Sequence, residues 1–326
     1  MPDGTGRKKM SIIVPCFNEE AVLPELFGRL GAVAATWDMD YEVIGVDDGS
    51  QDRTWELLRQ QHVLDPRWRA IAFARNFGHQ TAVSAGLFYA TGDAVVIIDA
   101  DLEDPPEVIV QLIKKWREGY DVVYAVRQKR KEGPFKRLCY WAFYRLMARL
   151  VAFDIPLDSG DFCLISRRVV ATINAMPERN RFVRGLRAWS GFRQTGVLYE
   201  RAARFAGVPK YTFKKLVHLA TDGLFSFSTV PLRAATYLGL SVSGVAFLGV
   251  LFTLAQKLFS EQFKKIGLEP SPGFPTIVMS VLFLGGIQLI CLGILGEYIG
   301  RIYEEVKGRP LWILRDSAGI GSADKK

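Results

Sequence analysis

Between Ser11 and Val126, short apolar runs alternate with stretches whose apolar residues recur at helical spacing. SIIVPCF (11–17), YEVIGV (41–46), RAIAFA (69–74), AVVIIDA (94–100) and DVVYAV (121–126) are brief, β-branched and bounded by turn residues, so they read as buried strands. Glu20 to Ala35 and Pro106 to Glu118 read as helices between them. Strand–helix–strand repetition predicts an α/β fold, a largely parallel sheet with helices on both faces. Ligands of such sheets bind beyond the carboxyl ends of the strands. Three of those ends carry suggestive residues: Pro15-Cys16-Phe17-Asn18-Glu19-Glu20, Asp47-Asp48-Gly49-Ser50 and Asp99-Ala100-Asp101.

The pattern changes further on. Ala234–Leu254 and Pro275–Gly296 contain no charged residue, and each is long enough as a helix to span a hydrocarbon core of about 30 Å. The turn-rich SEQFKKIGLEPSPGFP joins them, which predicts a two-helix transmembrane hairpin returning the chain to its starting side. Arg233, Arg301, Lys307 and Arg309 flank one side, but Lys257, Lys264 and Lys265 on the other weaken the positive-inside contrast. Tyr211 to Val230 mixes Phe213, Leu216, Phe225 and Phe227 with Lys214 and Lys215, the make-up of an interfacial amphipathic segment. The polar, basic start MPDGTGRKKM has no apolar stretch of signal-peptide length, which points to a cytoplasmic catalytic domain on an integral membrane protein. The divisions expected are therefore 1–210, catalytic; 211–232, juxtamembrane; 233–300, transmembrane; and 301–326, a cytoplasmic tail.

A net charge of +8 favours an anionic partner. No zinc knuckle or other nucleic-acid module is present, so a membrane surface or a phosphorylated substrate fits better than nucleic acid. Cys16, Cys139, Cys163 and Cys291 are scattered without a CxxC pair, against a structural zinc site or a disulfide framework.

Acids crowded at a strand end repel one another unless a cation sits among them. Asp99 and Asp101, with Glu103 and Asp104 just beyond, suit Mg²⁺ or Mn²⁺, which use one or two carboxylates and complete their shell with phosphate oxygens. The bland alternative is a solvated turn, with Asp104 capping the helix that starts at Pro105-Pro106. Asp48 offers a carboxylate to a nucleobase or ribose hydroxyl, while Ser50 reads as the N-cap of the next helix.

PCFNEE, VDDGS, ARNFG (74–78), DADLEDPP and SGDF (159–162) occur in the order and spacing of family 2 glycosyltransferases, which have the Rossmann-like GT-A fold. The chain more closely resembles the polyprenyl-phosphate hexosyltransferases, including bactoprenol glucosyltransferases and the related dolichyl-phosphate mannose synthases. The hairpin and LGEYIGRIYEEVKGRP (295–310) extend that resemblance over nearly the whole chain.

The resemblance implies that Pro15, Phe17, Glu19 and Asp48 line a nucleotide pocket and that Asp99 and Asp101 hold the diphosphate metal. Glu103 stands at the third metal position, commonly Gln in the family. Asp161 matches the residue usually proposed as catalytic base, yet a phosphate monoester with a second pKa of about 6 is already mostly dianionic at neutral pH. Asp161 is thus as well suited to orienting substrate. Arg127, at the end of the fifth strand, and Arg204 and Lys210 in RFAGVPKY would hold phosphate, the arginines by bidentate forks. Lys129, Arg130 and Lys131 suit either phosphate or lipid headgroups. His79 stands where many relatives carry Lys and, as a lone histidine, is given no catalytic role. The implied reaction is inverting transfer of a hexose, glucose by preference, from a UDP-sugar to undecaprenyl or another polyprenyl phosphate. Mannose from GDP-mannose, an aminopentose donor, a processive synthase and a non-catalytic scaffold are the alternatives, and no Q-x-x-R-W motif supports the synthase. Gly286, Gly293 and Gly300 could permit close helix packing, within the hairpin or in a homo-oligomer.

Overall fold

The computed structural model describes residues 7–128, 159–179, 181–200, 230–265 and 273–321. The chain divides into two compact units, Met1–Leu219 with Arg309–Lys326, and Ala220–Gly308.

In the first unit the elements run β1 (Lys9–Cys16), α1 (Leu23–Ala34), β2 (Asp40–Asp47), α2 (Thr54–Leu64), β3 (Trp68–Phe73), α3 (His79–Tyr89), β4 (Ala94–Ile97), a 3-10 turn (Pro106–Val108), α4 (Ile109–Arg117) and β5 (Val122–Arg127). After residues that lie outside the description come β6 (Ser159–Ser166), α5 (Arg167–Ala175), α6 (Val183–Trp189) and β7 (Gln194–Tyr199). The last strand, β8 (Leu314–Ala318), follows the second unit.

The eight strands form one mixed sheet in the order β7-β5-β6-β4-β1-β2-β3-β8. Its centre is parallel, β4-β1-β2-β3, while β6 runs antiparallel between β4 and β5, and β8 antiparallel on β3. The all-apolar runs of β1 and β4 follow from this placement, because central parallel strands are covered on both faces. Every residue of β1 from Met10 to Cys16 is buried. Helix α3 lies hard against that strand: a Cβ on Gly86 would come within 2.3 Å of Ile13 Cγ2. This close seat fixes the helix start, His79 and Gln80, at the carboxyl ends of the strands.

At the opposite end of the sheet, Glu42 is 2% exposed. It accepts bonds from Ser11 Oγ at 2.6 Å, Thr91 N–H at 2.8 Å, Lys9 Nζ at 3.0 Å and Arg69 Nη1 at 2.9 Å. Burial raises its pKa, but the hydrogen bonds from Ser11, Thr91 and Lys9 outweigh it and bring it down to about 2.

The second unit contains α7 (Val230–Leu258), the short α8 (Ser260–Lys265) and α9 (Phe274–Val306). Cys291 on α9 donates to the Ala235 carbonyl of α7 at 3.7 Å. Val230–Gln256 and Met279–Val306 are long and apolar enough to cross a membrane, and neither is buried inside the structure. Phe247, Leu248, Phe283 and Leu289 are all more than half exposed, a surface that suits lipid better than water. Both ends of this unit connect to the first, so the chain leaves and returns to the same body.

The segment expected as a tail, 301–326, is built differently. Its start continues α9 to Val306, and Leu314–Ala318 is a strand of the catalytic sheet. Arg204, Lys210, Lys129, Arg130, Lys131 and most of the expected amphipathic stretch lie outside the described residues.

Candidate active site

The turns after β1 and β2 are laced together. Ser50 Oγ accepts the Asn18 N–H, Asn18 Oδ1 accepts the Gln51 N–H, and Thr54 Oγ1 accepts the Glu19 N–H, each at 2.9 Å. Asn18 adopts φ 54, which this pairing holds. Pro15 is buried in β1, while Phe17 and Glu19 are half-buried on the lip of the turn. Ser50 therefore does not cap α2. That helix starts at Thr54, whose N–H is accepted by Asp52 Oδ1 at 3.0 Å, and Ser50 is spent across the loops.

Asp48 faces the ARNFG loop from behind. Its Oδ1 accepts the Phe77 N–H at 2.7 Å, and its Oδ2 the Gly78 N–H at 3.0 Å. At 4% exposure it holds that loop in place. Burial raises its pKa despite those backbone bonds. The loop comes so near that a Cβ on Gly49, already at φ 71, would stand 2.4 Å from the Arg75 carbonyl carbon. Only glycine fits there.

Strand β4 ends at Ile97, so the DAD motif forms the turn beyond it. Asp101 Oδ1 accepts the Glu103 N–H at 3.1 Å, and Leu102 sits at φ 57 with its side chain buried. Asp99, Asp101 and Glu103 are half-exposed, whereas the intervening Ala100, Leu102 and Asp104 are buried. The turn thus presents three acids on one side and anchors itself by the other. Asp104 is no helix cap. It accepts the Tyr199 hydroxyl, and Tyr199 in turn accepts Arg127 Nε at 3.3 Å. Burial of its flank draws Asp104 inward to that partner, leaving the 3-10 turn uncapped. Arg127 lies along the backbone of Gly160, next to Asp161.

Asp161, on β6, is the hub. Its Oδ2 accepts Gln80 Nε2 at 3.1 Å and lies 3.3 Å from His79 Nε2; its Oδ1 accepts Arg184 Nη2 at 3.3 Å. Gln80 also accepts the Val183 N–H at 2.9 Å, tying the start of α3 to α6. Burial opposes ionisation of Asp161, but Arg184 and His79 hold it well below the usual carboxylate range.

His79 Nε2 is also 3.7 Å from Asp99 Oδ1. Partial burial works against its charge, yet Asp161 and Asp99 lift its pKa to about 9. A lone histidine given no role in the sequence thus bridges the two principal acids. Asp99 is pushed up to about 6 by burial, with Asp161, Asp104 and Asp101 adding to the shift and His79 opposing it. Among the described residues, Arg184 Nε and Arg187 Nε and Nη2 are buried on the α6 side with no hydrogen-bond partner. Arg187 stands over the Tyr124 ring at 5.7 Å. Acids dominate the β4 side and cations the α6 side, with Asp161 between.

Among the described residues, no three His, Cys, Asp or Glu side chains gather into a metal cage. Asp99, Asp101 and Glu103 instead line one side of a turn. Such hard oxygens, in an acid-crowded turn, fit Mg²⁺ or Mn²⁺ that takes the rest of its shell from phosphate and water.

The family model described as Glycosyl transferase family 2 matches residues 11–173, from β1 through most of α5. The chain belongs to that family and is a glycosyltransferase, and its mostly parallel mixed sheet with flanking helices is the GT-A architecture that the motifs implied. Beyond the family region it is similar along its length to named relatives. It is 48% identical to the uncharacterized glycosyltransferase YkcC of Bacillus subtilis, covering 95% of this chain and 94% of the relative. It is 43% identical to the bactoprenol glucosyl transferase of Shigella phage SfII, covering 95% and 98%, and 43% identical to a prophage bactoprenol glucosyl transferase homolog of Escherichia coli, covering 94% and 98%. A solved mannosyltransferase from Pyrobaculum calidifontis, in complex with GDP-Man and Mn²⁺, aligns over 95% of this chain and 90% of its own at 17% identity and a TM-score of 0.46.

Proposed function

We propose that the protein transfers a hexose, glucose by preference, from a UDP-sugar to a polyprenyl phosphate such as undecaprenyl phosphate, with inversion at the anomeric carbon. One observation carries the acceptor reading: similarity to bactoprenol glucosyl transferases runs past the family region through the two apolar helices to nearly the full length of both chains. In this reading α7 and α9 span the membrane and the catalytic unit works on its cytoplasmic face.

The donor nucleotide lies at the β1 and β2 turns, between Pro15, Phe17, Glu19 and the loop that Asp48 holds. Asp99 and Asp101, with Glu103 at the margin of the turn, would hold Mg²⁺ or Mn²⁺ with the diphosphate. The ion would supply Lewis-acid neutralisation of the departing nucleoside diphosphate.

The remaining work belongs to the chain's own side chains. An ionised acceptor phosphate needs placement more than deprotonation. Asp161, kept anionic by His79, Gln80 and Arg184, is poorly suited to taking a proton and well suited to fixing geometry. Arg184, bonded to Asp161, places a cation on the α6 side of the site. Arg127 supports it from β5, with Arg204 and Lys210 assigned to phosphate by their motif. The test is UDP release from UDP-glucose, in detergent, with and without undecaprenyl phosphate, followed by a panel of UDP- and GDP-sugars. Lipid-dependent release supports the reading; release indifferent to lipid overturns it.

A further inference from the structure

We propose that β8 is part of the donor site's construction, and that Arg315 is a positioning residue whose ion pair with Asp47 keeps the β1 and β2 turns in register to receive a nucleoside diphosphate. This rests on the donor reading above.

Asp47 is fully buried at the end of β2. Its Oδ2 lies 3.3 Å from Arg315 Nη2, while its Oδ1 accepts the Ser50 N–H at 3.0 Å. Ser50 then accepts the Asn18 N–H, and Asn18 accepts the Gln51 N–H. A relay of polar contacts therefore runs from the C-terminal strand to the turn that carries Phe17 and Glu19. Removing one partner of a buried ion pair leaves the other charge unmet, and Arg315 meets the charge of Asp47 beside the Ser50 N–H.

A second route reaches the other side of the pocket. The Ile313 carbonyl accepts the Ala74 N–H at 2.9 Å, at the root of the ARNFG loop. Trp312 stacks near Phe73, ring centroids 6.4 Å apart, and Phe73 meets Phe77 edge-on at 5.7 Å. Farther along, the Gly319 carbonyl accepts Arg69 Nε at 3.1 Å, and a Cβ on Gly319 would stand 2.5 Å from His62 Cε1. The strand is thus seated along its length, and its Arg315 reaches the acid that organises the donor turns.

The experiment uses the full-length protein in detergent, titrated calorimetrically with UDP in the presence of MnCl₂, alongside steady-state turnover. Arg315→Gln should weaken UDP at least about tenfold and raise the donor KM to match, with kcat at saturating donor within about twofold. Asp47→Asn combined with Arg315→Gln should recover most of that affinity, because the amide still accepts the Ser50 N–H and needs no cation. Unchanged UDP affinity in Arg315→Gln overturns the proposal. Should that variant fail to fold, Asp47→Asn is compared with the double variant: a change under about twofold supports the ion pair, and a tenfold loss overturns it. A wild-type protein that fails to bind UDP overturns the donor reading itself, and this inference with it.

Discussion

Two carboxylate sites at opposite ends of one sheet differ in how their charge is met. Glu42, below the amino ends of the strands, is surrounded by Ser11, Thr91, Lys9 and Arg69, and its pKa falls to about 2. Asp99, beyond the carboxyl ends, has His79 as its near cation, shares it with Asp161, and is pushed up to about 6 by burial and by neighbouring acids. The first is a finished structural bond. The second is a cluster of acids with one histidine between them, and strongly shifted groups of that kind gather at functional sites.

Four substitutions can break or sharpen that contrast. Asp101→Ala should cut metal-dependent turnover at least about 10³-fold while leaving thermal stability near wild type, as expected for a group stabilising charge at the reacting centre. Near-normal activity would refute the metal assignment. Asp161→Asn should cost roughly 10²-fold in kcat. With Asp161 ionised throughout, the wild-type pH–rate profile should show no limb belonging to it between pH 5 and 8; a limb there that vanishes in the variant would make it a base. Glu42→Gln should destabilise the fold by about 3 kcal/mol by denaturant titration, with turnover per folded molecule unchanged.

The smallest effect has the opposite sign. Asp99→Asn should raise the thermal midpoint by about 2 °C at pH 7 without metal. Asp99 has a raised pKa, so its ionisation costs stability in full above about pH 6, and the cost fades as pH falls toward 3.8. The variant's advantage should fade over the same interval. Glu42 has a lowered pKa, so its contribution is complete above 4.5 and is lost as pH falls toward about 2. If the two carboxylates respond alike, the contrast fails.

Much of this was legible in the chain. Strands β1 to β4 announce themselves because central strands covered on both faces need unbroken apolar runs. The sequence LRDSA of β8 carries no such signal; it is a half-exposed edge strand whose partners come from tertiary contact. Asp99, Asp101 and Asp161 stand out in motifs. His79, Gln80 and Arg184 do not, since one polar residue at a helix start or on a short helix looks like any other until the packing of α3 and α6 brings them to Asp161. Ser50 and Asp104 show the reverse failure: their local sequence suits a cap, but a nearer tertiary partner claims each oxygen.

The edge strand also sets a timetable. Arg69 meets the Gly319 carbonyl 250 residues later in the chain. A ribosome making this protein releases β3 early, then both apolar helices, and only afterwards the strand that closes the sheet edge. Nascent chains therefore hold an open edge on β3 while the two apolar helices are being made. Completion of the sheet falls after synthesis of both apolar helices, so a chain cut short at α9 would lack Arg315 and the last strand of its catalytic body.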